Sequence, residues 1–292
     1  MRLGISLQPV VPDDVLRVAR ESERLGFDAV YMSGHVLGEP NATVLDPMTT
    51  LAAVAGGTET IGVATSVLLL PHYNPVLLAN EAASLDVISG GRFTLAIGVG
   101  WAEPEFAALG VPFGERGARA DDALEAMRAL WSERPASYQG RFTQFDDALL
   151  GTPPRTPGGP PLWVGGHSDA AIKRALRFAA AWHCTGMTPD EVAEARGRIA
   201  RIGEQVGRDP ETLELTSIHF AIPPNAKHNG FSFGHVLGGE QPTADAVVQH
   251  IGELAEQGIS RINLLLPLTP ETLLDGIAWV AEEVMPQVSG AR

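Results

Sequence analysis

Apolar residues alternate along this chain between two rhythms. Short unbroken runs such as Phe93 to Val99 suit strands buried on both faces, and segments with apolar residues at three- and four-residue spacing suit helices with one buried stripe. Each run followed by one such segment fits a βα unit. Eight strands are predicted, at Leu3 to Leu7, Ala29 to Met32, Ile61 to Val67, Phe93 to Val99, Leu162 to Val164, Ala179 to Cys184, Leu213 to Phe220 and Arg261 to Leu266. Helix ends are marked by local chemistry. Asn74 and Pro75 predict an N-cap and first turn for a helix reaching about Ile88, where Gly90 and Gly91 stop it. Thr188 with Glu191 forms a capping box before a helix that ends at Gly207. Thr269 and Pro270 open a helix along Leu273, Ile277, Val280 and Val284, and Val247, Ile251 and Leu254 mark another that stops at Gly258.

Eight units in 292 residues predict a single α/β domain over residues 1–292, a TIM (β/α)8 barrel with insertions at its C-terminal face. No G-x-G-x-x-G follows the first strand, which removes the main argument for an open doubly wound sheet. The insertions are about 137–161, rich in proline, and about 222–242, rich in Gly, Asn, His and Phe. Both are too long for simple connections. The first is expected to cross the C-terminal face and the second to act as a lid.

Composition narrows the class. With 45% hydrophobic and 19% charged residues and no apolar run near the roughly 20 needed to span a bilayer, a packed globule is expected. Met1 and Arg2 lead straight into the first strand without a signal peptide, so a soluble, cytoplasmic protein is expected. A net charge of -14 argues against nucleic acid and anionic membranes as partners, although backbone amides at helix N-termini can still bind a phosphate locally. The single cysteine, Cys184, excludes an intrachain disulfide and cysteine-based zinc sites.

Several enzyme classes lack their residues. The histidines at 35, 72, 167, 183, 219, 228, 235 and 250 form no H-x-H or H-E-x-x-H, so no metal is expected. Acidic candidates for a glycosidase pair are few, chiefly Glu39, Glu103 and Glu105. There is no G-x-S-x-G and no P-loop. Instead, small residues dominate four strand exits: Ser33-Gly34-His35, Thr65-Ser66-Val67, Gly98 to Trp101, and Gly165-Gly166-His167. Gly98 and Gly100 are expected to let a ligand approach the backbone closely. Such a rim suits a flat ring lying over backbone with His35 at its edge, or else tight turns around a packed tryptophan. Gly165 to Asp169, leading into a helix, offers free amides as a phosphate cradle or a plain turn.

These residues carry a resemblance. Leu25-Gly26-Phe27-Asp28, Asn74-Pro75-Val76 with Leu85-Asp86 and Ser89-Gly90-Gly91-Arg92, Gly98-x-Gly100-Trp101, Glu105-Phe106, Gly110, and Arg119 ahead of Leu130-Trp131 resemble the luciferase-like monooxygenase family, most of all its branch using the deazaflavin coenzyme F420. The resemblance implies an elongated cofactor across the C-terminal face of the barrel, in a homodimer or larger homo-oligomer. By position it implies that Ser66-Val67 forms a bulge with a non-proline cis peptide behind the ring, and that Gly98, Gly100 and Trp101 line its other side. Gly165, Gly166 and His167 would bind phosphate, and His35 would stand near the reactive carbon. Two departures bear on the substrate. Many relatives have aspartate where Gly34 stands, so any carboxylate supporting His35 must come from elsewhere. Sugar-phosphate-oxidising relatives carry a glutamate where Trp101 stands, and this chain has few lysines, so an apolar or aromatic small molecule roofed by Trp101, Phe231 and Phe233 is expected.

The expectation is an oxidoreductase moving a hydride between the deazaflavin and that substrate, with His35 positioning the ring and Glu105 a secondary proton-transfer candidate. An FMN-dependent monooxygenase on the same scaffold, and a non-catalytic flavin-binding protein, are the alternatives. The arginine bias, with only Lys173 and Lys227 as lysines, tilts toward deazaflavin.

Overall fold

In a computed structural model, which describes residues 1–8, 12–38, 44–224, 226–227, 234–239 and 242–288, eight parallel strands close on themselves. They are β1 (Arg2–Ser6), β2 (Ala29–Met32), β3 (Gly62–Thr65), β4 (Phe93–Gly98), β5 (Leu162–Gly165), β6 (Ala181–Thr185), β7 (Glu214–Ala221) and β8 (Ile259–Leu265). Each pairs in parallel with the next, and β8 closes the ring by pairing with β1 through Gly4 and Asn263. The predicted TIM barrel is therefore observed, with every predicted strand present to within two residues at its start. Around it run α1 (Val15–Arg24), α2 (Pro47–Gly57), α3 (Pro75–Ile88), α4 (Glu103–Ala108), α5 (Arg116–Ser132), α6 (Asp169–Phe178), α7 (Pro189–Val206), α8 (Ala244–Glu256) and α9 (Pro270–Trp279). No helix among the described residues is long and apolar enough to cross a membrane.

The caps read from sequence do their work. Asn74 Oδ1 accepts from the N–H groups of Val76 and Leu77, Thr188 and Glu191 close a reciprocal capping box, and Gly207 ends α7 at φ +72°. The strands bury almost every side chain, because one face meets the helix layer and the other fills the barrel. Inside the barrel Ala29, Ala64, Ala96 and Ala181 surround Tyr31 and Trp163. Gly4 makes room there, since a Cβ on it would collide with the Ala29 carbonyl and the Tyr31 ring.

Two expectations need correction. The third strand does not run unbroken to Val67: β3 ends at Thr65, a cis peptide joins Ser66 to Val67, and Leu68–Leu69 then pairs with Ile97 and Gly98 of β4. The first insertion does not cross the C-terminal face. It holds an antiparallel hairpin, Ala136–Gln139 with Gln144–Ala148, laid against α5, and the chain after it bonds to α3 through Thr152 and Asn80. Arg141 reaches Glu115 at the start of α5, and Thr156 returns to Asp86 near the end of α3. The connection joins a helix end to a strand start, both at the N-terminal rim, so the excursion must leave from and return to that rim along the outer helices. The second insertion does leave from the C-terminal end of β7. Val236 and Leu237 pair with its last residues, and the Lys227 carbonyl accepts from the Thr269 N–H at the start of α9. Phe231 and Phe233, expected to roof the substrate, and Glu39 lie outside the described residues, as does the middle of the expected lid.

Candidate active site

The carboxylate that Gly34 cannot supply comes from Glu105. The Gly34 N–H donates to the Val67 carbonyl, drawing the chain so close that a Cβ at 34 would stand 2.8 Å from Leu68 Cα. No aspartate fits there. α4 begins just beyond the Gly98 to Trp101 exit and carries Glu105 on its first turn, buried. Its Oε1 accepts from the N–H groups of Val36 (2.6 Å) and Leu37 (3.0 Å), and its Oε2 lies 3.1 Å from His35 Nδ1. Burial alone would raise this carboxyl, but the Leu37 and Val36 N–H groups and the His35 ring outweigh it and hold it below the usual range. An ionised carboxylate can only accept, so His35 donates from Nδ1, which leaves Nε2 as the ring nitrogen outside the pair. That nitrogen has no partner among the described residues, on a side chain 32% exposed.

Glu105 was expected as a proton-transfer group. Both its oxygens are engaged, by the Val36 and Leu37 N–H groups and by His35, and the nitrogen outside the pair is His35 Nε2. The neighbouring Phe106 explains the other half of the Glu-Phe pair. A Cβ on Gly100, at φ +81°, would lie 2.9 Å from the Phe106 ring, which is itself edge-on to His72 and Phe113. Both His72 ring nitrogens are buried without a partner, and burial lowers that pKa. Trp101 stands edge-on to His35 with ring centroids 5.7 Å apart and is 75% exposed, the most exposed large apolar side chain described.

The glycines at the mouth do not leave the open space expected of them. Val67 occupies it: a Cβ on Gly98 would be 2.7 Å from Val67 Cγ2, and one on Gly165 2.9 Å from Val67 Cγ1. The missing side chains thus let the bulge after the cis peptide seat its valine across the top of the barrel. Beneath it Ser66 Oγ meets His183 Nε2 and Asn263 Nδ2, each at 3.0 Å. His183, Thr216 and Asn263 escaped the sequence reading. Their signal was a polar residue inside an otherwise apolar strand run, which in a barrel puts a buried hydrogen-bonding group into the interior.

At the fifth exit Gly166 adopts φ +120° and Ser168 caps α6 by accepting from the Ala171 N–H. His167 accepts the Thr185 N–H on Nε2, so its ring is held to the backbone, and burial lowers its pKa. It therefore brings an Nδ1–H rather than a positive charge. Arg198 donates to the His167 carbonyl and, with Arg201, pairs with Asp169. The arrangement offers an anion backbone N–H groups at a helix N-terminus with two arginines close by. Among the described residues no cluster could hold a metal ion.

Residues 1–226 match the family model described as luciferase-like monooxygenase. The chain belongs to that family. An uncharacterized protein of Mycobacterium tuberculosis is 34% identical over 173 residues, which is 59% of this chain and 61% of the relative, so the match spans less than two thirds of either. Among solved structures, an F420-dependent secondary alcohol dehydrogenase in complex with an F420-acetone adduct superposes with a TM-score of 0.84 at 20% identity, covering 98% of both chains. The oxygenating constituent of 3,6-diketocamphane monooxygenase from Pseudomonas putida, in complex with FMN, gives 0.77 at 16% identity over 99% of both. Identities this low show a shared fold. The family is one of oxidoreductases.

Proposed function

We propose that this chain is a coenzyme F420-dependent oxidoreductase acting on a small apolar or aromatic substrate at the C-terminal mouth of the barrel. The observation that carries the reading is the His35–Glu105 pair beside Trp101: a ring with its tautomer fixed by a buried anion, one nitrogen left free, and a large indole held in solvent at its edge. An exposed indole favours a flat partner, and Val67, seated over Gly98 and Gly165, gives that partner an apolar surface to lie against. In this reading Ser66 and Val67 support a ring from behind, Gly98, Gly100 and Trp101 border it, and Gly165, Gly166 and His167 hold its phosphate.

The bound deazaflavin would supply two-electron hydride chemistry. Glu105 fixes the imidazole and balances charge on it, and His35 Nε2 accepts or returns the substrate proton. Trp101 excludes water and favours apolar groups, and with only two lysines in the sequence, Lys173 and Lys227, a phosphorylated substrate is the poorer fit. The likeness to an F420-dependent alcohol dehydrogenase and the arginine-rich composition support deazaflavin. An FMN-dependent monooxygenase is the second reading, supported by the likeness to the FMN-bound oxygenating constituent. Equilibrium titration of the purified chain with coenzyme F420 and with FMN separates them; tight FMN binding without deazaflavin binding removes the first. Exposed Leu77, Val87 and Ile88 on α3 support a homodimer or larger homo-oligomer, which light scattering after size exclusion tests.

A further inference from the structure

Behind the bulge at the barrel mouth runs a chain of buried side chains whose hydrogen bonds can point in only one consistent direction. Asn263 Nδ2 lies 3.0 Å from Ser66 Oγ, Ser66 Oγ 3.0 Å from His183 Nε2, His183 Nδ1 2.8 Å from Thr216 Oγ1, and Thr216 Oγ1 3.2 Å from the Trp182 carbonyl. A carbonyl only accepts, so the Thr216 hydroxyl donates to Trp182 and its oxygen accepts from His183 Nδ1–H. Burial, with a smaller contribution from nearby His219, takes the His183 pKa down to about 3, so the ring is neutral and Nε2 carries only a lone pair. Ser66 must therefore donate to His183, while its oxygen accepts from Asn263. The reverse order would lose the Thr216 to Trp182 bond. It would also leave the Ser66 hydroxyl proton without an acceptor among the described residues, whereas Asn263 Nδ2 donates to Ser66 Oγ in either order.

We infer that His183 is a positioning residue that turns the Ser66 hydroxyl proton into the barrel, so that Ser66 presents to the mouth an oxygen lone pair and no donor. Anything seated against the bulge is then recognised there by a donor of its own, a ring N–H or a water. The inference rests on the proposed function only for what lies against Ser66; the polarity belongs to the cofactor-free chain. His183 and Thr216 lie behind the bulge and act through Ser66.

Nitrogen-15 NMR of the imidazole side chains, recorded on cofactor-free protein, reads the polarity directly. His183 is expected as the neutral Nδ1–H tautomer, unchanged between pH 8 and pH 5. Thr216→Val removes the acceptor and should convert it to the Nε2–H tautomer, whereas Thr216→Ser should restore the wild-type spectrum. Ser66→Ala should leave the tautomer as it is, which keeps the test available if Thr216→Val does not fold. Titration with coenzyme F420 and with FMN then measures the consequence: at least a tenfold loss of affinity in Thr216→Val, recovered in Thr216→Ser. A wild-type Nε2–H tautomer, or a tautomer that follows Ser66 rather than Thr216, overturns the inference. The expected tautomers with no binding of either cofactor by wild type would uphold the polarity and remove the proposed function.

Discussion

Acidifying the protein from pH 7 to pH 5 should remove about 4 kcal/mol of stability through two histidines alone. Burial lowers His183 to about 3 and His219 to about 4, the latter against the opposing pull of its bond to the Met187 carbonyl, and the Ser66 hydroxyl needs an unprotonated Nε2 on His183. In the unfolded chain each would titrate near 6.5. The folded pKa lies below the unfolded one, so the unfolded state binds more protons as pH falls. Stability is fully present above about 6.5 and is lost on the way down, until the folded pKa values are reached near 3 to 4. At pH 5 each histidine is about 1.5 units below its unfolded pKa, and at about 1.4 kcal/mol per unit each contributes a loss of about 2 kcal/mol. His72, His167 and His235 are also lowered by burial and act with the same sign, while Glu81, raised by burial, acts against them. Urea unfolding at pH 7, 6 and 5 measures it directly. Replacing His183 by Gln lowers stability at every pH but should halve the two-histidine loss, to about 2 kcal/mol. A wild-type stability that is flat between pH 7 and pH 5, or a His183→Gln slope equal to wild type, would refute the assignment of neutral buried rings.

Other expectations follow from particular contacts. Glu105→Gln keeps an acceptor for Val36 and Leu37 but removes the charge facing His35, so turnover should fall at least tenfold with an almost unchanged unfolding midpoint. Glu105→Ala takes the acceptor from the Val36 and Leu37 N–H groups and should also destabilise the fold by about 1–3 kcal/mol, read by chemical denaturation. Gly98→Ala puts a methyl 2.7 Å from Val67 Cγ2 and should destabilise by about 1–3 kcal/mol, with much of the loss recovered by adding Val67→Ala; a lack of coupling in that cycle contradicts the packing. Gly34→Asp, which installs the carboxylate many relatives carry, should destabilise rather than improve the enzyme, because its Cβ meets the Leu68 backbone.

The barrel was legible because its strands are local apolar runs and its helices announce their ends. Asn74, Thr188 and Gly207 act through neighbours within four residues, which a single sequence displays. The four small-residue exits were legible for the same reason. The partnership of His35 with Glu105 was not, because 70 residues separate them and the contact exists only once α4 folds back over β2. Nor were the tasks of Gly98 and Gly165. A glycine reports that space is needed without saying what fills it, and here Val67 does. The path of the first insertion followed from connectivity, since a helix-to-strand link belongs to the N-terminal rim, but its proline-rich length drew attention to the wrong face. His183, Thr216 and Asn263 each look like an isolated polar interruption, and only closure of the barrel aligns them behind Ser66.

The central claim is that the mouth built by His35, Glu105 and Trp101 works on a deazaflavin. Fluorescence titration of the purified protein with coenzyme F420, in parallel with FMN, tests it most directly. Saturable binding of coenzyme F420, much tighter than that of FMN and weakened by Trp101→Ala, is the predicted result. Tight stoichiometric FMN with no response to coenzyme F420 would contradict it.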